Sequence, residues 1–200
     1  EATTILPVME QALALLQDSK PVRVMLDGIA AEDLAILKSL NLLTSKPVLY
    51  VCNVAEDDAA TGNEHSQAVD KMAAEQGGRT VVISAAIEAE IAQLDDAEAR
   101  EYMEAMGLEE PGLDRLIREG YRLLDLLTFF TAGPKETRAW TVKKGAKAPQ
   151  AAGVIHTDFE KGFIRAQTIA YDDYVSLGGE VAAKEAGKAR DEGKEYLVQD

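Results

Sequence analysis

The chain has 200 residues, 46% hydrophobic and 28% charged, enough for a sizeable core in one large or two small domains. No apolar run approaches the roughly 20 residues that cross a bilayer, and Glu1 to Pro7 lacks the basic-then-apolar layout of a signal peptide, which argues against a membrane or export role. The net charge of −14 is uneven: residues 1–133 hold 10 Lys/Arg against 24 Asp/Glu and residues 134–200 hold 11 against 11, so the acidic part is a poor nucleic-acid surface and the tail is the only candidate for one.

In chain order, Leu6, Met9, Leu13 and Leu16 recur at helical spacing over Ile5–Leu16, and Pro21 stops the pattern. A second helix is expected over Ala30–Leu40, with Leu34, Leu37 and Leu40 on its apolar face. Pro47–Asn53 is a continuous apolar run of the length of a strand buried on both faces. It contains Cys52, which has no partner for an intrachain disulfide and only His65 and His156 to join it as soft ligands. An inert buried thiol in a reducing cytoplasm is expected, with no metal site. A helix is predicted over Glu64–Gln76, ended by Gly77-Gly78, and a second buried strand over Thr80–Ser84. Helical patterns then cover Ala85–Leu94, Asp96–Met106 and Gly112–Leu127. Asp95-Asp96 lies at a helix start, where carboxylates favour the helix dipole.

Strands alternating with helices imply a parallel sheet of the doubly wound α/β plan, whose ligands sit beyond the C-terminal strand ends. Those ends carry Asn53-Val54-Ala55-Glu56 and Ser84-Ala85-Ala86. Beyond a boundary near Thr128–Pro134 the pattern changes: a strand at Arg138–Val142, a turn at Lys143-Lys144-Gly145, a helix at Pro149–Phe159, a strand at Phe163–Ala170, a helix at Glu180–Arg190 and a strand at Tyr196–Val198 describe a small α+β unit.

Phe129-Phe-Thr-Ala-Gly-Pro134, Arg138-Ala-Trp-Thr141, Ala148-Pro-Gln-Ala-Ala-Gly153 and Ile155-His-Thr-Asp-Phe-Glu-Lys-Gly-Phe163 together resemble the TGS-domain signature of the YchF subfamily of Obg-like P-loop ATPases. Leu43-Thr-Ser-Lys-Pro47 and Asn53-Val-Ala-Glu56 are similar to that subfamily's base-recognition strand and loop, in order and at the right separation. The resemblance spans essentially the whole chain. It implies an α/β fold: the C-terminal half of a P-loop NTPase (G-domain-like) parallel sheet, followed by an α+β ubiquitin-like β-grasp TGS domain. The expected divisions are 1–26 for the remnant of a helical insertion, 27–128 for the nucleotide-binding half and 129–200 for the TGS domain.

The related GTPases read guanine with Asn-Lys-x-Asp, whose Asp accepts from N1–H and the 2-amino group. Here Val54 and Glu56 occupy the second and fourth positions, and adenine offers neither of those hydrogens. An asparagine amide can instead pair with N6 and N7 of adenine, as it does when reading adenine in DNA. The resemblance therefore implies that Asn53, Val54 and Glu56 contact the base, that Ser84, Ala85 and Ala86 close over its edge with backbone groups, and that ATP is preferred over GTP. Read without that context, Asn53 is a turn former, Glu56 with Asp57 and Asp58 is a solvated acidic loop, and Ser84 is an ordinary strand terminus. The TGS likeness implies contact with the ribosome or ribosomal RNA, with Lys143, Lys144, Lys147, Lys161 and Arg165 as phosphate ligands and Trp140 or Phe163 as a stacking platform. The plainer readings are a solvated basic face, a core tryptophan and, for His156, a packed or capping role. No DNA sequence recognition and no membrane partner are expected.

A P-loop requires G-x-x-x-x-G-K-[ST], and the only Gly-Lys step, Gly187-Lys188, is followed by Ala189, lacks the earlier glycine and falls in a predicted helix. Neither catalytic nor magnesium-binding residues are read in this stretch. The resemblance places the P-loop and the Mg2+-binding switch segments before Glu1, and a Gly-Asp turn and last strand after Asp200. Neither ATP nor Mg2+ is expected to bind tightly to this segment alone. Two functions remain open from the sequence: part of a ribosome-associated ATP-hydrolysing protein, or a non-catalytic RNA- or ribosome-binding module.

Overall fold

The computed structural model describes residues 2–133 and 135–199. Glu1, Pro134, which closes the Phe129–Pro134 motif, and Asp200 lie outside the described residues. Two compact units divide between Leu123 and Leu124. The first holds α1 (Ala2–Gln17), α2 (Ala31–Ser39), β1 (Leu49–Asn53), α3 (Glu64–Glu75), β2 (Arg79–Ile83), α4 (Ala85–Ile91), α5 (Asp96–Ala105) and α6 (Gly112–Leu123), with short 3-10 turns at Val22–Leu26, Leu43–Ser45 and Glu56–Asp58. The second holds β3 (Leu126–Ala132), β4 (Thr137–Lys143), α7 (Ala148–Ile155), α8 (Thr157–Lys161), β5 (Ala166–Thr168), α9 (Tyr171–Leu177), α10 (Glu180–Glu185) and β6 (Arg190–Glu192). Among the described residues no helix is long and apolar enough to cross a membrane.

β1 and β2 pair in parallel from Leu49↔Arg79 to Asn53↔Ile83, the pairing that a strand, helix, strand order calls for. The crossover helix α3 starts sharply because Asn63 Oδ1 accepts from the backbone N–H groups of His65 and Ser66, while Ser66 Oγ accepts from the Asn63 N–H. It ends where Gly77 takes φ +66°, and Gly78 lets the chain pass close beneath Tyr50, whose ring would stand 3.2 Å from any added Cβ. Arg23, only 7% exposed, ties the 3-10 turn to this layer by donating to Tyr50 Oη and Gln76 Oε1, both at 3.3 Å. The helix expected over Ala85–Leu94 stops at Ile91, and the Asp95 side chain then caps α5 by accepting from Ala97 and Glu98 N–H. Those bonds, chiefly the one from Glu98, hold the exposed Asp95 carboxyl below its usual range. Glu88 performs the same service at a distance for α6, accepting from Gly112 N–H at 2.7 Å and Leu113 N–H at 3.2 Å.

The apolar face of α1 is the reverse of the one expected. Val8 and Ala12 are buried against Val22 and Leu37, with Ile5 and Leu15 partly covered, whereas Leu6, Met9, Leu13 and Leu16 are exposed. The helix carries two apolar stripes, and periodicity alone cannot tell which one packs.

In the second unit β3 and β4 form an antiparallel hairpin, Leu126↔Lys143 to Ala132↔Thr137. The sequence pattern extends helix α6 to Leu127, but the helix ends at Leu123, Asp125 takes φ +49°, and Leu126 begins a strand. The run Leu123-Leu124-Asp125-Leu126-Leu127 is apolar under either period, and the hairpin decides it: Leu127 and Phe129 face the same core as Val142, Ala146, Ala151 and Val198. The helix expected over Pro149–Phe159 is broken at His156, whose extended backbone (φ −160°) separates α7 from α8. Of the strand expected over Phe163–Ala170 only Ala166–Thr168 pairs, antiparallel with β6. The helix expected to reach Arg190 ends at Glu185, so Gly187-Lys188 follows a helix instead of lying in one, and Arg190 already belongs to β6. The strand expected over Tyr196–Val198 is a single bridge, Lys147↔Leu197. Helix α9 has no counterpart in the sequence reading.

Candidate functional site

Asn53 is the last residue of β1, and Ser84 follows the last residue of β2. Parallel pairing places both strand ends at the same edge of the sheet, and the Val54 N–H continues the ladder to Ile83 O at 2.9 Å. There the exposed Asn53 side chain reaches across: its Oδ1 accepts from the Ala85 N–H at 2.9 Å. Asn53 thus joins the loop after β1 to the first turn of α4. Its Nδ2 makes no hydrogen bond among the described residues and faces outward as a donor, while one Oδ1 lone pair is already committed.

The remaining residues of the two loops divide. Ala85 and Ala86 are exposed. Ser84 is 2% exposed as a whole residue and its Oγ is buried without a partner, so it is closed to a ligand and the contact expected of it falls to Ala85 and Ala86. Val54 is half-buried. Glu56 is exposed in the 3-10 turn, whose Asp58 is fixed by a 2.8 Å bond from Asn63 Nδ2. Asn53 and Val54 also line a cleft of about 390 Å³ that runs between β1 and the start of α3, bounded by Val51, Cys52, His65 and Val69. Consecutive β1 residues line it and none from β2, so the cleft follows the strand edge that β2 leaves unpaired.

Two carboxylates of this unit, Glu90 on α4 and Glu56 in the 3-10 turn, act on Tyr102. Its hydroxyl bonds to Glu90, and with desolvation and the charges of Glu90 and Glu56 this raises its pKa to about 12. Because the folded value exceeds the unfolded one, the stabilising effect is present below pH 10 and is lost as pH rises towards 12. Titration of tyrosinate absorbance is expected to show one late-ionising tyrosine, and Glu90→Gln to bring it down towards the ordinary range; no change in that variant would contradict the assignment.

The five expected phosphate ligands lie on several elements of the second unit. Lys143 Nζ donates to Leu124 O at 2.6 Å, Lys147 pairs with Glu195, and Arg165 pairs with Asp191 at 3.2 Å. Lys144, in the turn after β4, and Lys161, at the end of α8, have no ion-pair partner among the described residues. Phe163 is 8% exposed, which removes it as a stacking platform, because its ring belongs to the packed interior. Trp140 is half-buried on β4, its Nε1 donating to Thr131 Oγ1 at 2.9 Å and the Arg138 guanidinium lying 4.3 Å from its ring centroid. His156 caps α8, its Nδ1 accepting from the Asp158 N–H at 3.2 Å. The sequence reading missed the Asn53–Ala85 bond and the Glu88 cap; no local pattern announces either, since the partners are 32 and 24 residues apart.

Among known proteins, the family model YchF-GTPase_C, described as a protein of unknown function (DUF933), matches residues 126–200. The ribosome-binding ATPase YchF of Haemophilus influenzae is 54% identical over 200 residues, covering 100% of this chain and 54% of that protein. The chain belongs to the YchF subfamily of Obg-like ATPases. The Bacillus subtilis ribosome-binding ATPase YchF is 54% identical across 84% of this chain and 47% of its own length, and Obg-like ATPase 1 of Rattus norvegicus 42% identical across 93% and 47%. The solved YchF GTPase of Schizosaccharomyces pombe has the same mixed α/β fold, with a TM-score of 0.80 at 35% identity over 96% of this chain and 51% of that one. This YchF-subfamily chain therefore spans about half the length of the relatives it matches.

Proposed function

We propose that the first unit, from residue 27 to Leu123, forms the base-reading half of a P-loop nucleotide domain and that the second, from Leu124 on, which keeps β3 whole, forms a β-grasp TGS domain, both within a ribosome-associated, cytoplasmic ATPase. The observation that carries the nucleotide reading is the Asn53 amide at the edge of the parallel sheet, braced by the Ala85 N–H with its own Nδ2 left to donate. An adenine there would receive Nδ2–H at N7, and the second lone pair of Oδ1 would accept from the 6-amino group. Val54 packs beside the ring, and the exposed residues Ala85 and Ala86 close on its edge. Glu56 replaces the guanine-reading aspartate and gains nothing from adenine, so ATP is favoured over GTP.

The triphosphate and Mg2+, which supply the phosphoryl-transfer chemistry, would be held by parts of the longer protein corresponding to the half of the relatives that this chain does not match. The unpaired edge of β1 is the place for a neighbouring strand of that domain, and the outward stripe Leu6, Met9, Leu13 and Leu16 the place for the other arm of a helical insertion. Of the five expected phosphate ligands, Lys144 and Lys161, which have no ion-pair partner among the described residues, are the first candidates for ribosomal RNA phosphates; Lys143, Lys147 and Arg165 must first leave their intramolecular partners. Competition between ATP and GTP for the intact protein tests the base reading: ATP is expected to win, and tighter GTP binding would remove the role given to Asn53.

A further inference from the structure

One cation of the second unit, Arg138, is held in a way that its place in the sequence does not announce. Side chains alternate along a strand, so Leu127, Phe129 and Thr131 share one face of the β3–β4 hairpin with their register partners Val142, Trp140 and Arg138. At one end that face is closed, Leu127 and Val142 being buried with Ala151 of α7. Towards the other end it opens: Trp140 is half-buried and Arg138 exposed. There the Trp140 ring is pinned by its Nε1 bond to Thr131 Oγ1 at 2.9 Å, and the Arg138 guanidinium lies over the ring, 4.3 Å from its centroid. Among the described residues Arg138 has no carboxylate partner. The adjoining tip, closed by the Gly133 N–H on Glu136 O at 3.0 Å, exposes Lys135 and Glu136, which leaves one positive charge in excess beside the ring.

An exposed arginine loses rotamer freedom when it binds, and one already laid on an aromatic ring has lost part of it beforehand. Trp140 cannot offer the covered side of its ring to a ligand, because Arg138 occupies it. What solvent meets there is the outer face of the guanidinium, flat and cationic, on which an unpaired base can stack while the N–H groups of its edge donate to the adjoining phosphate. A carboxylate partner would need the edge alone; a base uses the face as it stands. We propose that Arg138, held flat on Trp140, is a base-stacking residue of the second unit and takes an unpaired base of single-stranded RNA on its outer face. The proposal rests on the reading of that unit as ribosome-contacting, and it names a contact beyond the five cations given above.

Titration of the intact protein with a short single-stranded RNA of mixed sequence tests it, read from the side-chain 1H–15N signals of Trp140 Nε1 and Arg138 Nε. Both signals are expected to shift saturably and together, and far less with an RNA duplex of the same length, whose bases are already stacked. Arg138→Gln is expected to weaken RNA binding by about tenfold, and Arg138→Lys, which keeps the charge and loses the plane, by several-fold. A double variant, Lys144→Glu with Lys161→Glu, separates the two levels of the argument. If it weakens RNA binding while both Arg138 variants bind as the parent does, the unit contacts RNA and the stacking role is overturned. If the parent binds no RNA saturably, the reading of the unit and this proposal are overturned together. Equal shifts with poly-glutamate would assign the guanidinium to carboxylates, and equal shifts with the duplex to phosphates alone; either overturns the stacking role.

Discussion

Asn53→Leu in the intact protein is expected to weaken ATP binding by about 5- to 150-fold, the 1–3 kcal/mol associated with a bidentate amide–adenine contact. Leucine matches the amide in size, so the loss would be of hydrogen bonding and not of volume. Two bonds disappear in that variant, the one to the base and the one from Ala85 N–H, and Asn53→Asp separates them. A carboxylate still accepts from Ala85 and keeps the two loops joined, but it cannot donate to N7 and it places a negative charge beside the base. Both variants are therefore expected to bind ATP poorly in a direct titration, with only the leucine variant also loosening the turn into α4. If the aspartate variant bound ATP as well as the parent protein, Asn53 would be a brace and nothing more.

Ile87→Ala is expected to destabilise the first unit by about 2–5 kcal/mol in denaturant titrations. Ile87 is fully buried and packs with Ala59 and Leu108, against which Ile91, Tyr102, Met103 and Met106 also rest. The residue stands on α4, two positions beyond Ala85, so the cavity would open directly beneath the turn that Asn53 braces. Loss of nucleotide affinity together with stability would follow from the same displacement. A cost below 1 kcal/mol would mean that α4 is held mainly by its ends.

The two cases differ in how far each residue was legible beforehand. Asn53 stood out because a polar residue ends a continuous apolar run, and its meaning came from the motif around it. Ile87 did not stand out: Ala85-Ala86-Ile87-Glu88 shows a helix start, but nothing in it says that this isoleucine meets Leu108 from across a loop. Glu88 was passed over for the same reason, since its cap on α6 depends on Gly112 arriving 24 residues later. The five basic residues of the second unit were legible as charges only. That Lys147 and Arg165 face Glu195 and Asp191 is a property of how strands and loops return, and it changes which cations are free to meet a phosphate.

The amino-acid order by itself determined the local elements with one strong period or one sharp stop: the strands at Leu49–Asn53 and Arg79–Ile83, the capped helix α3, and their parallel connection, although the burial on both faces expected of those strands is not met, since Val51 and Asn53 are exposed and only Val81 is buried. These depend on interactions within a few residues, or on a crossover long enough to enforce direction. Only the tertiary structure decided which stripe of α1 is buried, where α6 gives way to β3, and that Asn53 is already bonded to Ala85. In each of those cases the local energies of the alternatives are nearly equal, and contacts from distant residues settle the choice.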